Sequence, residues 1–111
     1  LEQIWEEALG EHRAGKKIVL SVKVSKDVKS ILLYTLQEFG ERQSRLYFEG
    51  LTEVLEKLAF DPKLGKLFSV VKNQPILRYR YQSHVLFYGV RTNGIFIVRI
   101  LGGQMDFTRH L

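Results

Sequence analysis

The 111-residue chain contains no cysteine, two prolines, one methionine and one tryptophan. Without cysteine it can build neither a disulfide nor a thiolate metal site, and such a composition fits a reducing, cytoplasmic setting. No apolar run approaches the ~18 residues of a membrane span, and no secretory signal is visible. Acid is nearly missing from the second half. Residues 62–111 hold eight Lys/Arg against Asp106 alone, whereas residues 1–61 hold nine Lys/Arg and eleven Asp/Glu. A paired-carboxylate hydrolase therefore has no place in the second half. Its basic surplus instead faces an anionic partner, either nucleic acid or an acidic protein segment. The three histidines, His12, His84 and His110, lack metal-ligand spacing. Gly102-Gly103 follows a strand-like run, but no helix-opening pattern or Lys-Ser/Thr comes after it, and no nucleophile-elbow serine is present. No metal or cofactor is expected.

What is present reads as one α+β domain with an N-terminal addition. Ile4, Trp5, Ala8 and Leu9 recur at helical spacing within residues 2–13, and Ala14 to Lys17 reads as a linker. The run IVLSVKV (Ile18–Val24) alternates as a strand, and Ser25 offers an N-cap for a helix through Phe39. Val28, Ile31, Leu32, Thr35 and Phe39 line one face of that helix. Gly40 suits its end, and a second helix follows from about Glu41 to Phe60 with Tyr47, Leu51, Val54, Leu55 and Leu58 inward. Asp61-Pro62 stops it. Leu67 to Val71 is a candidate short strand, followed by runs at Ile76–Tyr81, His84–Val90 and Ile95–Leu101, with Asn93-Gly94 as the strongest hairpin signal. The expected fold is a helix hairpin packed on a mostly antiparallel sheet, β-α-α-β-β-β, with an extra N-terminal helix.

Arginines sit among aromatics in the last three runs. Alternation puts Arg78 and Arg80 on one strand face, while Tyr79, Tyr81 and Tyr88 are candidates for stacking bases or for covering the core. A metal-free ribonuclease would need a general base, a general acid and cations on the phosphate. His84 and Tyr88 are the nearest proton-transfer candidates, with Arg78, Arg80 and Arg99 as cations.

Three segments carry a family resemblance: YTLQEFGERQSRLYFEGL (Tyr34–Leu51), RYRYQSHVLFYGV (Arg78–Val90) and IVRILGGQMDFTRHL (Ile97–Leu111). They resemble the ParE toxins of the RelE/ParE toxin–antitoxin superfamily, over Ile18 to Leu111. The resemblance implies a bacterial growth-inhibiting toxin that binds DNA gyrase and blocks replication. It also implies neutralisation by a cognate ParD-like or similar antitoxin, with a homo-oligomer or a hetero-oligomer with the antitoxin as the expected assemblies. RelE-type relatives cut ribosome-bound mRNA, usually with an arginine in the strand beginning at His84 and a catalytic His or Tyr in the tail. Here Val85 stands at the arginine position, and Gly102-Gly103 occupies the tail. Binding rather than catalysis is therefore expected. The alternatives are a ribosome-dependent mRNA endoribonuclease and an inactive antitoxin-binding module.

The residues expected to contact the target are Arg78, Arg80, Arg99, Met105, Asp106, Arg109 and His110, with Leu111 adding apolar contact. Residues 1–17 precede the toxin-like domain of 18–111. They look similar to the acidic, amphipathic tail of an antitoxin, so Ile4, Trp5 and Leu9 are expected to dock on the helix hairpin of the same or a neighbouring copy.

Overall fold

The computed structural model of the protein describes residues 16–103, 105 and 107–111. In chain order the elements are β1 (Lys17–Leu20), α1 (Val22–Phe60), a 3₁₀ turn (Pro62–Leu64), β2 (Lys66–Val71), β3 (Gln74–Tyr81), β4 (His84–Arg91), β5 (Gly94–Gly102) and α2 (Phe107–His110). The strands lie in the order β1-β5-β4-β3-β2, and β1 runs parallel to β5 while the other neighbours are antiparallel. The α+β class and the largely antiparallel sheet agree with the sequence reading. The candidate strand at Leu67–Val71 is a full edge strand, so the sheet has five members. The helix expected over 2–13, with Ile4, Trp5 and Leu9, lies outside the described residues. No helix among those described is long and apolar enough to cross a membrane.

The first strand ends earlier than alternation suggests. It stops at Leu20, and Ser21 rather than Ser25 is the N-cap, its Oγ accepting the Val24 N–H at 3.3 Å. Val24, Val28 and Ile31 then fall at helical spacing and are all buried in one stripe. Extending the strand to Val24 would forfeit that stripe.

At Gly40 the backbone of α1 leaves helical geometry, with φ 84° and ψ 175°. Thr35 and Ser44 share a buried hydrogen bond between their hydroxyl oxygens at 2.8 Å. Nine residues of straight helix would separate them by roughly 13 Å, so the chain turns sharply here. Val24, Val28 and Ile31 from the first arm and Phe48, Leu51, Leu55 and Leu58 from the second share one core with Leu86, Tyr88, Ile95 and Ile97 of the sheet. Phe39, expected inward, is 59% exposed beside the turn.

The other sheet face has a small core of its own. Ile76, Val85, Phe87 and Leu101 are buried there, with Phe68, Phe107 and Leu111 packed against them. The rings of Phe68, Phe87 and Phe107 meet edge to face, with Phe87 and Phe107 centroids 4.9 Å apart. The C-terminal α2 is thus a partial lid on the sheet, and Leu111 packs internally rather than standing ready for a target.

A β-bulge decides which residues of β5 face which core. The register passes from Tyr88↔Ile97 to Phe87↔Arg99, leaving Val98 without a partner on β4. Plain alternation from Ile95 and Ile97 would drive Arg99 into the main core. With Val98 inserted, Ile100 takes that place and Arg99 turns to the opposite side with Phe87.

Candidate functional site

Beyond Leu20, β1 no longer covers the edge of β5, and backbone groups there need other partners. Ser21 supplies two bonds: its N–H donates to the Ile97 carbonyl and its hydroxyl to the Val98 carbonyl at 2.7 Å. Asp27 accepts the Ile100 N–H at 3.0 Å. The Arg99 guanidinium grips the same carboxylate, Nε to Oδ2 at 2.8 Å and Nη2 to Oδ1 at 2.7 Å, and Nη1 donates to the His110 carbonyl at 2.8 Å. Hydrogen bonding to Asp27 raises the Arg99 pKa still further above its ordinary value. Arg99, expected on the target surface, is therefore engaged internally, joining α1, β5 and α2.

Arg78 and Arg80 project from β3 on the outer face and are exposed. Lys66 lies directly opposite Arg78 in the ladder, and the Arg78 guanidinium sits 5.9 Å from the Phe68 ring centroid. Among the described residues the only ion pair is Arg99–Asp27, so these cations lack an acidic partner there. Met105 and Arg109 are exposed and His110 is half-buried. Asp106 lies outside the described residues. Of the expected contact residues, Arg78 and Arg80 thus share one face with Lys66, while Arg99 is withdrawn from the surface.

The tyrosines of the last strands do not line that basic face. Tyr79, Tyr81 and Tyr88 all pack toward α1. Tyr88 is fully buried, donating its O–H to the Pro62 carbonyl at 2.7 Å and accepting the Gly65 N–H at 2.9 Å. It ties the 3₁₀ turn to the sheet and is inaccessible for proton transfer. Val85, at the position of the missing arginine, is buried in the outer core.

His84 is nine-tenths buried, and its Nδ1 is hydrogen-bonded to the Tyr47 hydroxyl. Burial lowers the His84 pKa and raises that of Tyr47. Both groups are neutral at pH 7, and of the two imidazole tautomers we assign the one in which the phenol, the stronger acid, donates to Nδ1. A neutral ring accepting at Nδ1 carries its proton on Nε2. Tyr47 in turn offers its carbonyl to the Tyr81 hydroxyl at 2.8 Å. Helical spacing places Tyr47 on the apolar stripe but carries no information about the partner of its hydroxyl.

The burial of neutral His84 has a measurable consequence. Above pH 6.5 the ring is neutral both folded and unfolded. As pH falls below 6.5 the unfolded chain takes up the proton first, so folding stability declines until pH passes the lowered folded value. The urea midpoint should therefore drop between pH 7.5 and 5.5, and His84→Gln should flatten that drop. An equal drop in the variant would show that His84 is not its source.

Taken together, the described residues form a small basic α+β domain with a solvent-facing cationic strand and no converging nucleophile, base and acid. No group of metal-ligating side chains is found among them. A family model described as the ParE toxin of the type II toxin–antitoxin system parDE matches residues 18–107, and the chain belongs to that family. Membership makes it the toxin partner of a cognate antitoxin. No curated protein sequence gives a significant match.

Proposed function

We propose that this toxin inhibits DNA gyrase by binding, and does so through the outer face of β2 and β3 together with the C-terminal tail. The observation that carries the reading is the row Lys66, Arg78 and Arg80, with no acidic partner among the described residues, beside exposed Met105 and Arg109. Cations in such a row make charge-assisted bonds to carboxylates, or to phosphates of DNA held on the enzyme. Asp106 and His110 complete the proposed contact segment. The ribonuclease alternative draws little support from the site: Tyr88 is buried, Val85 offers no cation, and His84 is neutral and held by Tyr47.

Gyrase supercoiling and cleavage assays, run beside a translation extract, test the reading. The chain should block supercoiling and leave transcripts intact. Arg78→Glu and Arg80→Glu should each raise the inhibitory concentration about tenfold or more, since reversing a contact charge adds repulsion to the lost bond. Transcript cleavage without a gyrase effect would reverse the assignment.

Residues 1–17 remain in this proposal an antitoxin-like segment that docks through Ile4, Trp5 and Leu9. The exposed Leu33, Phe39 and Leu46 of α1 offer apolar surface for it. Removing residues 1–15 should then increase toxicity and antitoxin affinity, and no change in either would end the idea.

A further inference from the structure

The gyrase reading uses Arg80 and Met105 but not the groove that they help to line. Tyr34, Arg80, Ser83, His84 and the Gly102-Gly103 backbone line a cavity of about 490 Å³ between the first arm of α1 and the adjoining end of the sheet. Two neighbouring hollows of about 360 and 430 Å³ also have Tyr34 in their walls, so this ring stands where the three meet. Tyr34 is 49% exposed, and Phe39 meets it at 81° with centroids 6.0 Å apart, bracing the ring without a parallel stack over it.

Each polar side chain in the described lining of the cavity carries a donor. Arg80 brings a guanidinium, steadied by a bond from Nη1 to the Gln82 carbonyl at 3.1 Å. Ser83 brings a hydroxyl. His84 brings an Nε2–H, because its Nδ1 is held by Tyr47. Among the described residues no carboxylate lines this cavity. A side chain at position 103 would place its Cβ 2.8 Å from Arg80 Nη2, so the glycine leaves room for the guanidinium. A guanidinium with further donors beside it selects an anion, and an exposed, braced aromatic next to them selects an anion that carries a flat ring.

We propose that this groove binds a nucleoside phosphate, with the phosphate on Arg80, Ser83 and His84 and the base on Tyr34. The inference concerns binding only; it shares Arg80 with the proposed gyrase surface, and nucleotide binding is read without gyrase present, so either reading can fail alone. Tyr79, Tyr81 and Tyr88 take no part, since they face α1.

Titration calorimetry on the full chain tests it with AMP, inorganic phosphate, single-stranded DNA and RNA hexamers, and a glutamate-rich peptide. AMP should bind at least about tenfold more tightly than inorganic phosphate, the gain expected from one base–aromatic stack. Tyr34→Ala should remove that gain and Tyr34→Phe should keep it. Arg80→Gln should weaken AMP and phosphate alike by about tenfold. Both side chains are solvent-exposed, and unchanged melting of the variants confirms that the fold is intact. Hexamers binding more tightly than AMP identify a nucleic-acid strand as the ligand, and equal affinity identifies the free nucleotide; either supports the site. AMP binding no better than phosphate, an unaffected Tyr34→Ala, or displacement of AMP by the acidic peptide at lower concentration overturns it.

Discussion

Gly94→Ala should destabilise the protein by about 3 kcal/mol or more, read as a fall in the urea midpoint. Gly94 opens β5 at φ 155° and pairs with Lys17 of β1. A Cβ there would lie 1.8 Å from the Lys17 carbonyl oxygen and 2.7 Å from the Lys17 carbonyl carbon and nitrogen. These are backbone atoms, so no side-chain rotation relieves the clash. Either β1 moves away, exposing Ile18, or β5 distorts beneath buried Ile95. The strained φ contributes about 1–3 kcal/mol, and losing the burial of Ile18 a further 1.5–3 kcal/mol or so. Gly40→Ala is the informative comparison. Its φ is also positive, at 84°, but nothing lies within 4 Å of its would-be Cβ. It should therefore be the milder of the two, and equal losses would mean that the close approach of β1 does not limit position 94.

Asp27→Asn should destabilise by about 3–5 kcal/mol, the range for breaking a buried ion pair from one side. The side chains of Asp27 and Arg99 are only 7% and 14% exposed. Asparagine keeps a single oxygen, which cannot serve both guanidinium nitrogens and the Ile100 N–H together. Arg99 would keep its charge with no anion beside it among the described residues. The damage should spread to the tail, because the same guanidinium holds the His110 carbonyl. Limited trypsin digestion should then cut after Arg109 faster than in the parent chain. Replacing both partners, Asp27→Leu with Arg99→Met, should restore only part of the stability, since it removes the unpaired charge but leaves the buried Ile100 N–H without its acceptor. A loss under about 1 kcal/mol in Asp27→Asn would show that the pair contributes little.

Local signals in the chain were legible where a single element determined the outcome. The apolar spacing of Leu51, Leu55 and Leu58 marks a buried helix face, and all three are buried. Asn93-Gly94 marks a hairpin, yet for a different reason from the one sequence suggests. The two-residue turn with both φ values positive is Lys72-Asn73, at 51° and 65°. In the β4–β5 connection Arg91 pairs with Gly94, which makes Thr92 and Asn93 the turn residues. The glycine is required by its neighbour β1, seventy-seven positions earlier in the chain, and no local pattern carries that information.

The candidate site divides in the same way. Arg78 and Arg80 share a face because a strand alternates, which the sequence states directly. Arg99 reads as a third member of that exposed set and is not one. The bulge at Val98 puts it on the same sheet face as Phe87 and Arg78, and the carboxylate of Asp27 then withdraws its guanidinium from solvent, which depends on how β1, α1 and β5 meet. Tyr34 falls off the apolar stripe of α1, so helical spacing gives it no role in the core. An aromatic in that position was the available signal.

By itself, then, the sequence determined the α+β class, the basic second half, the toxin family and the absence of any thiolate site. The class, the charge and the missing thiolates follow from composition and from periodicities within single elements, and the family from the resemblance of three segments to ParE toxins. Tertiary structure decided which cations remain at the surface, which tyrosines are buried, and what His84 can donate. Those outcomes depend on groups far apart in the chain competing for the same buried space and the same hydrogen-bond partners.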